Sequence, residues 1–299
     1  MPPGLKSLGL RERVKLLTSG RALNLACGTS YISSPQWTNV DWSAPGPDVI
    51  GFNLLRKLPF PENYFDLVYS SHYIEHLLPE DLERLFEECY RVLTPGGIIR
   101  IVTPDWDEMI SEYMSQVKKN NTDYADYVRA EILDQCVRTK PGGRLKTIHK
   151  RALTDPAFAN YLQLRSGIVL KREVAGTDIE GQKRILHRFK TFLRADSYRK
   201  KFLLKKKIEI GYISLIVKMF PDWFRRYHIS LTDPGEKHLW LFTRDELSAI
   251  LEETGFRKVK KLEFSSTQSQ LQDVLHLDTL PEGGPRKGAL SMFIEAFKT

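Results

Sequence analysis

The run RALNLACGTSYISSPQWTNVDW, residues 21–42, limits the fold more than any other stretch of this 299-residue chain. Residues 21–27 have the apolar content of a buried strand and lead into a turn at Gly28. Residues 37–42 form a second strand signal carrying an acid, Asp41. Only about ten residues separate the two, whereas a parallel crossover usually takes a dozen or more and most often a helix. A ligand held between these strands is therefore met by a bare turn and a carboxylate. No helix N-terminus is available to receive a phosphate.

The rest of the chain extends this pattern. Residues 48–53 and 64–70 read as a third and a fourth strand, and Pro59 and Pro61 rule out a helix between them. Residues 80–93 place Leu82, Leu85, Phe86, Tyr90 and Leu93 on one helical stripe, TPGG stops the helix, and residues 98–102 form a fifth strand. Residues 243–254 are an amphipathic helix with Thr243 as N-cap and Glu246 three positions on. Gly255 ends it, and residues 256–264 and 290–298 are the last two strands. Seven strands alternating with helices predict an α/β fold, a doubly wound mixed sheet with a large, mainly helical insertion after strand five.

The predicted organisation is a leading helix within residues 1–20, a core of residues 21–105 and 238–299, and an insertion over 106–237. The short early crossovers leave one sheet face thinly covered. The insertion, the leading helix or a second subunit is expected to cover it.

Charge singles out the insertion. The chain has a net charge of +8, yet residues 118–237 hold 27 lysines and arginines against 13 acids. The remainder is mildly acidic. Such a segment suits an anionic partner or a solvated helical surface. Cys27, Cys89 and Cys136 are scattered without a CxxC pair, which argues against a disulfide framework and a zinc site. With no apolar run near 18 residues and no signal-like start, the expected setting is cytoplasmic.

A G-x-G-x-x-G fingerprint and a P-loop are both missing, which disfavours a pyrophosphate cradle. Taken together, LNLACG, NVDW, LPFPENYFDLVYSSHYIEHL, RVLTPGG and FTRDELSAILEETGF resemble class I S-adenosylmethionine-dependent methyltransferases, most of all a compact group with an abbreviated first crossover helix. The resemblance covers residues 21–105 and 238–299 and leaves out the insertion. It implies S-adenosyl-L-methionine as cofactor and S-adenosyl-L-homocysteine as product, and the cofactor's sulfonium and amino-acid tail explain why no phosphate-binding helix is required.

The implied cofactor contacts are the backbone of Ala26, Cys27 and Gly28 at the methionyl end and Asp41 at the ribose hydroxyls. Asn53 falls near the adenine amino group, Trp42 and Leu54 flank the purine, and Ser70 or Ser71 touches the tail. Asn24 and Ala26 stand where the family has an acid and a glycine.

Methyl transfer from a sulfonium gains rate from in-line positioning, and a hydroxyl acceptor gains further from a base. His72, His76 and His238 are the candidate bases, with His228 behind them, while Glu75 and His76 can also serve to orient their loop. No ligand spacing suggests a metal, so a metal-independent reaction is expected. A small-molecule or saccharide acceptor, O-methylated and phosphorylated or lipid-linked, is the leading expectation. Residues 202–227 mix a lysine cluster with aromatics, which suits a peripheral membrane contact, such an acceptor, or a homodimer helix pair. An RNA methyltransferase using the basic insertion and a non-catalytic cofactor-binding scaffold are the rival readings.

Overall fold

The computed structural model describes residues 21–167, 197–230, 232 and 235–299. The leading helix expected within residues 1–20 lies outside them. The strands are β1 (Ala22–Leu25), β2 (Trp37–Asp41), β3 (Val49–Gly51), β4 (Phe65–Ser71), β5 (Leu93–Pro104), β6 (Phe256–Leu262) and β7 (Ser291–Lys298). They form one sheet in the order β3-β2-β1-β4-β5-β7-β6. The first five are parallel, and β7 runs antiparallel between β5 and β6. This is the seven-stranded mixed sheet expected from the sequence. Its strand order reverses between β1 and β4, and in such sheets the carboxyl edge at that reversal is where ligands sit.

Helix α1 (Pro79–Val92) begins with proline at its first turn and lays Leu82, Leu85, Phe86 and Cys89 on the sheet. Burying each such side chain fully contributes about 1.5–3 kcal/mol. No loop separates α1 from β5, because the strand starts at Leu93 directly after the helix ends at Val92. The TPGG turn, read from sequence as a stop before the strand, lies inside it as an irregularity where the pairing shifts from Phe65↔Leu93 to Leu67↔Ile98. Gly96 takes a φ of +77° there, a conformation that suits a residue without Cβ.

Helices α2 (Trp106–Lys118), α3 (Thr122–Val137), α4 (Leu145–Ala152) and α5 (Pro156–Ser166) follow β5. Asp105 caps α2 and Asp155 caps α5, each carboxylate accepting two backbone N–H bonds. Then come α6 (Ser197–Lys218) and α7 (Asp222–His228). These two helices leave Leu204, Ile208, Tyr212, Ile213, Leu215 and Trp223 exposed. No helix among the described residues is long and apolar enough to cross a membrane. Helix α8 (Arg244–Glu253) starts at Thr243, whose hydroxyl accepts the Glu246 N–H at 3.1 Å as the sequence predicts, and buries Leu247 and Leu251 on the same face as α1.

The opposite face is covered otherwise than expected. Ala22, Trp37, Leu67, Tyr69, Ile98, Val102 and Phe293 pack under Phe264, Leu271, Val274, Leu275 and Leu277, not under the 106–237 helices. The covering segment includes the short helix α9 (Leu275–Asp278). Polar anchors fix it to the sheet: Trp37 Nε1 donates to Asp273 at 2.6 Å and the Tyr69 hydroxyl to Asp278 at 2.6 Å. Fully buried Arg100 on β5 donates to Asp278 at 2.8 Å and to Glu295 at 2.7 Å.

Candidate active site

The turn after β1 brings two left-handed residues to the carboxyl edge, Ala26 at φ +52° and Gly28 at φ +51°. Ala26 keeps a backbone shape that a glycine adopts without strain. A Cβ added at Gly28 would meet nothing within 4 Å, so the backbone there faces open space. The turn is closed by the Cys27 N–H donating to Val40 O at 3.2 Å and the Ser30 N–H donating to Cys27 O at 2.9 Å. Burial, reinforced by Asp41, pushes the Cys27 thiol far up and out of nucleophilic use.

Asp41 ends β2 beside this turn. Its Oδ2 accepts the Gly28 N–H at 2.9 Å, and its Oδ1 accepts the Ser43 N–H at 2.6 Å together with the Ser43 hydroxyl. One lone pair on Oδ2 is left for a hydroxyl donor. Asn24 lies within β1. Its amide is buried and donates to Ser30 O at 3.1 Å and Asn39 Oδ1 at 3.3 Å, so it braces the loop from below.

The end of β3 joins the same corner through the Phe52 N–H bond to Asp41 O at 3.3 Å. Trp42 is half-buried there, and Asn53 turns its side-chain carbonyl to the Leu55 N–H at 3.0 Å. Leu54 is packed into the main core with Val40, Ile50 and Leu58.

Across the reversal point, Ser70 and Ser71 end β4 and His72 follows at φ +50°. A non-glycine residue in this region marks backbone held by its surroundings, and such positions gather at functional sites. The Ser70 hydroxyl is buried without a hydrogen-bond partner among the described residues. His72 Nε2 lies 3.0 Å from the Ser291 hydroxyl. Its Nδ1 stands 3.2 Å from Glu75 Oε1, at an angle that leaves that oxygen without a formal hydrogen bond.

Glu75 and His76 sit in a single 3-10 turn, Ile74–His76. A strap from the far end of the chain closes over it: Leu239 and Trp240 N–H groups donate to Glu75 O at 2.7 and 3.2 Å, and His76 Nδ1 bonds Lys237 O at 2.7 Å. The strap sets the His238 ring 5.0 Å from the His76 ring. Sequence-predicted His72, His76 and His238 thus surround one fully buried carboxylate, whereas His228 lies apart on α7. Burial presses the Glu75 carboxyl upward, but His72 and then His76 and His238 outweigh it and hold the group at about 2. Burial likewise holds His238 down at about 4, against the pull of Glu75.

His72 and His238 also line a cavity of about 260 Å³ between the sheet edge and helices α3–α5. The other walls include Met109, Tyr127, Glu131, His149, Arg165 and Lys287. Glu131 accepts from Arg165 Nε inside the protein, while Arg165 Nη2 and His149 Nε2 are buried without partners among the described residues. Burial draws the Lys287 ammonium below its ordinary value. Sequence reading missed these residues because nothing local marks a pair such as Glu131 and Arg165, which meet only through helix packing. Among the described residues, none of α6 or α7 lines the cavity.

A doubly wound sheet with an open glycine turn, a carboxylate at the end of β2 and a cavity beyond β4 is a fold of the Rossmann-like type. Residues 23–101 match the family described as a methyltransferase domain. Over 83 residues the chain is 39% identical to a phosphoethanolamine N-methyltransferase of Plasmodium falciparum, covering 26% of this chain and 30% of that protein. It is 35% identical over 77 residues to an uncharacterized methyltransferase of Synechocystis, covering 26% of this chain and 31% of that protein. Among solved structures, a SAM-dependent methyltransferase from Archaeoglobus fulgidus aligns over 97% of this chain and 93% of its own, at 15% identity and a TM-score of 0.36. Residues 23–101, about a quarter of the chain, are thus similar to the methyltransferase domains of these proteins. The matched stretches span about a third of the length of these curated relatives.

Proposed function

We propose that this protein transfers a methyl group from S-adenosylmethionine to a small polar acceptor seated in the cavity beneath α3–α5, in the first instance a hydroxyl of a phosphorylated saccharide or similar molecule. The observation that carries the reading is the position of His72. It lies at the carboxyl end of β4, across the strand-order reversal from the Gly28–Asp41 rim, and its ring lines the cavity.

The residues present fit the cofactor. Gly28 offers backbone open to close approach, and Asp41 keeps an accepting lone pair toward ribose hydroxyls. Ala26, Cys27, Ser70 and Ser71 would hold the amino-acid tail, and Trp42, Asn53 and Leu54 the adenine. When bound, the cofactor supplies an electrophilic methyl group on a sulfonium. The protein's own work is to hold an acceptor oxygen in line, keep water out and take one proton.

His72 is the fitting base. Its side chain is 24% exposed, against 5% for the whole of His238, and the buried Glu75 carboxylate stands at Nδ1. That carboxylate favours the tautomer with hydrogen on Nδ1, leaving the Nε2 lone pair for the acceptor proton, and then stabilises the cation formed. An acceptor hydroxyl takes the place that Ser291 holds beside Nε2.

Arg165 and Lys287 in the same wall suit an anionic substituent on the acceptor. The name of the Plasmodium relative points the same way, since it gives a phosphorylated small molecule. The test is transfer of isotopically labelled methyl to a panel of phosphorylated and unphosphorylated sugars, with RNA as a further substrate. Product from a phosphorylated small molecule is expected. Labelled RNA alone, or S-adenosylhomocysteine binding with no turnover on any acceptor, would overturn the reading.

A further inference from the structure

We infer that Glu75, His76 and His238 form a binding site for a divalent transition-metal ion of the zinc class, set in the wall of the cavity. Sequence spacing gives no hint of it, because His238 joins the other two only when the strap of residues 237–240 closes over the 3-10 turn. In the folded chain one donor atom from each of the three residues lies within 4.8 Å of the others. A tetrahedral zinc with bonds of about 2.1 Å sets its donors about 3.4 Å apart, so the widest pair has little more than an ångström to close. Side-chain rotation covers that distance.

The hydrogen bonds around the cluster are those that prepare ligands. His76 Nδ1 faces the Lys237 carbonyl at 2.7 Å, and a carbonyl only accepts, so Nδ1 carries the proton and the Nε2 lone pair is free. Glu75 Oε2 accepts from the Thr103 hydroxyl at 3.3 Å, which holds the carboxylate in place. Two polar atoms are left over. Glu75 Oε1, in a residue with no exposed surface, meets only the poorly aligned His72 Nδ1 at 3.2 Å, and His238 Nδ1, in a residue 5% exposed, has no hydrogen-bond partner among the described residues. Orphaned polar atoms at such depth are costly unless something binds them.

Two borderline imidazoles and one hard carboxylate make a donor set of the kind that holds Zn²⁺ or Fe²⁺ with further positions open. Because His238 lines the cavity, an open position would face an acceptor there. His72, 3.2 Å from Glu75 Oε1, would then brace the ligand carboxylate from outside.

The experiment uses the full chain, stripped with a chelator and dialysed. It is titrated with ZnCl₂ by calorimetry and with CoCl₂ by visible absorption, with neither cofactor nor acceptor present. Expected are about one equivalent of metal per chain and cobalt ligand-field bands in the visible. His76→Ala and His238→Ala should each weaken binding about tenfold or more, while His276→Ala, at an exposed position outside the cluster, should leave it unchanged. Zinc should also raise the melting temperature of the wild-type chain reversibly. Binding far below one equivalent, or equal affinity in both cluster variants, would overturn the site. If circular dichroism shows His238→Ala unfolded, His76→Gln at the half-buried position carries the comparison. Since no methyl donor is involved, failure here leaves the transferase reading standing, and failed transfer leaves the metal result standing.

Discussion

The backbone N–H of Gly28 donates to Asp41 Oδ2 at 2.9 Å, so the turn after β1 and the end of β2 form a single rim. Replacing Asp41 by Ala removes the acceptor proposed for the ribose hydroxyls and frees Gly28 and Ser43 from their shared anchor. Affinity for S-adenosylhomocysteine should fall by about 1–3 kcal/mol, the scale of hydrogen bonds to a charged group. Calorimetry on the variant checks this, and unchanged affinity would remove Asp41 from the cofactor site.

Gly28→Ala separates folding from binding. The added methyl meets no protein atom within 4 Å, so the only folding cost is its left-handed backbone, about 1–2 kcal/mol. The same methyl projects into the open space where the cofactor is proposed to meet this backbone. Thermal unfolding should show a small loss of stability, and S-adenosylhomocysteine binding should drop by more than that loss explains.

His72→Asn tests the proposed base while keeping a side chain that tolerates positive φ. Turnover should fall about 10²–10⁴-fold, the usual contribution of general base catalysis, with S-adenosylhomocysteine affinity unchanged. Steady-state kinetics beside calorimetry on one preparation make the comparison.

Arg100→Met addresses the covered face of the sheet. It leaves Asp278 and Glu295, both buried, without the guanidinium that joins them. A loss of about 3–5 kcal/mol is expected, since an uncompensated carboxylate stays inside. Urea unfolding of the variant measures it.

Acid sensitivity should appear at Glu88. Burial opposes ionisation, but Arg91 and the Leu58 N–H outweigh it and hold the carboxyl below its ordinary value. The stabilisation is therefore complete above the ordinary carboxylate range and is lost as pH falls through the lowered pKa. With the side chain partly solvated, the effect should be about 1 kcal/mol or less. Glu88→Gln should flatten the acid limb of the stability curve by that amount.

What the sequence discloses here follows the range of the forces involved. The Thr243 cap, the α1 stripe and the Gly28 turn act within a few residues and were legible. So was the sheet, because short apolar runs between turn residues have few other uses. The cover over Trp37 and Tyr69 was not legible. Its anchors join Trp37 to Asp273 and Tyr69 to Asp278, more than two hundred residues apart, and the segment itself reads as an irregular polar loop. The histidines were named singly, but their convergence on Glu75 needs the Lys237 carbonyl and the Leu239 and Trp240 amides to arrive from 161 residues or more away. Glu131 and Arg165 escaped for the same reason.

That late closure bears on biosynthesis. A ribosome that has released β1 through β5 has exposed the histidine turn, yet the amides that fasten it are still unmade. The nascent chain therefore carries an unfastened histidine corner until Trp240 emerges, and a chain cut upstream of Leu239 lacks β6, β7 and the clasp together.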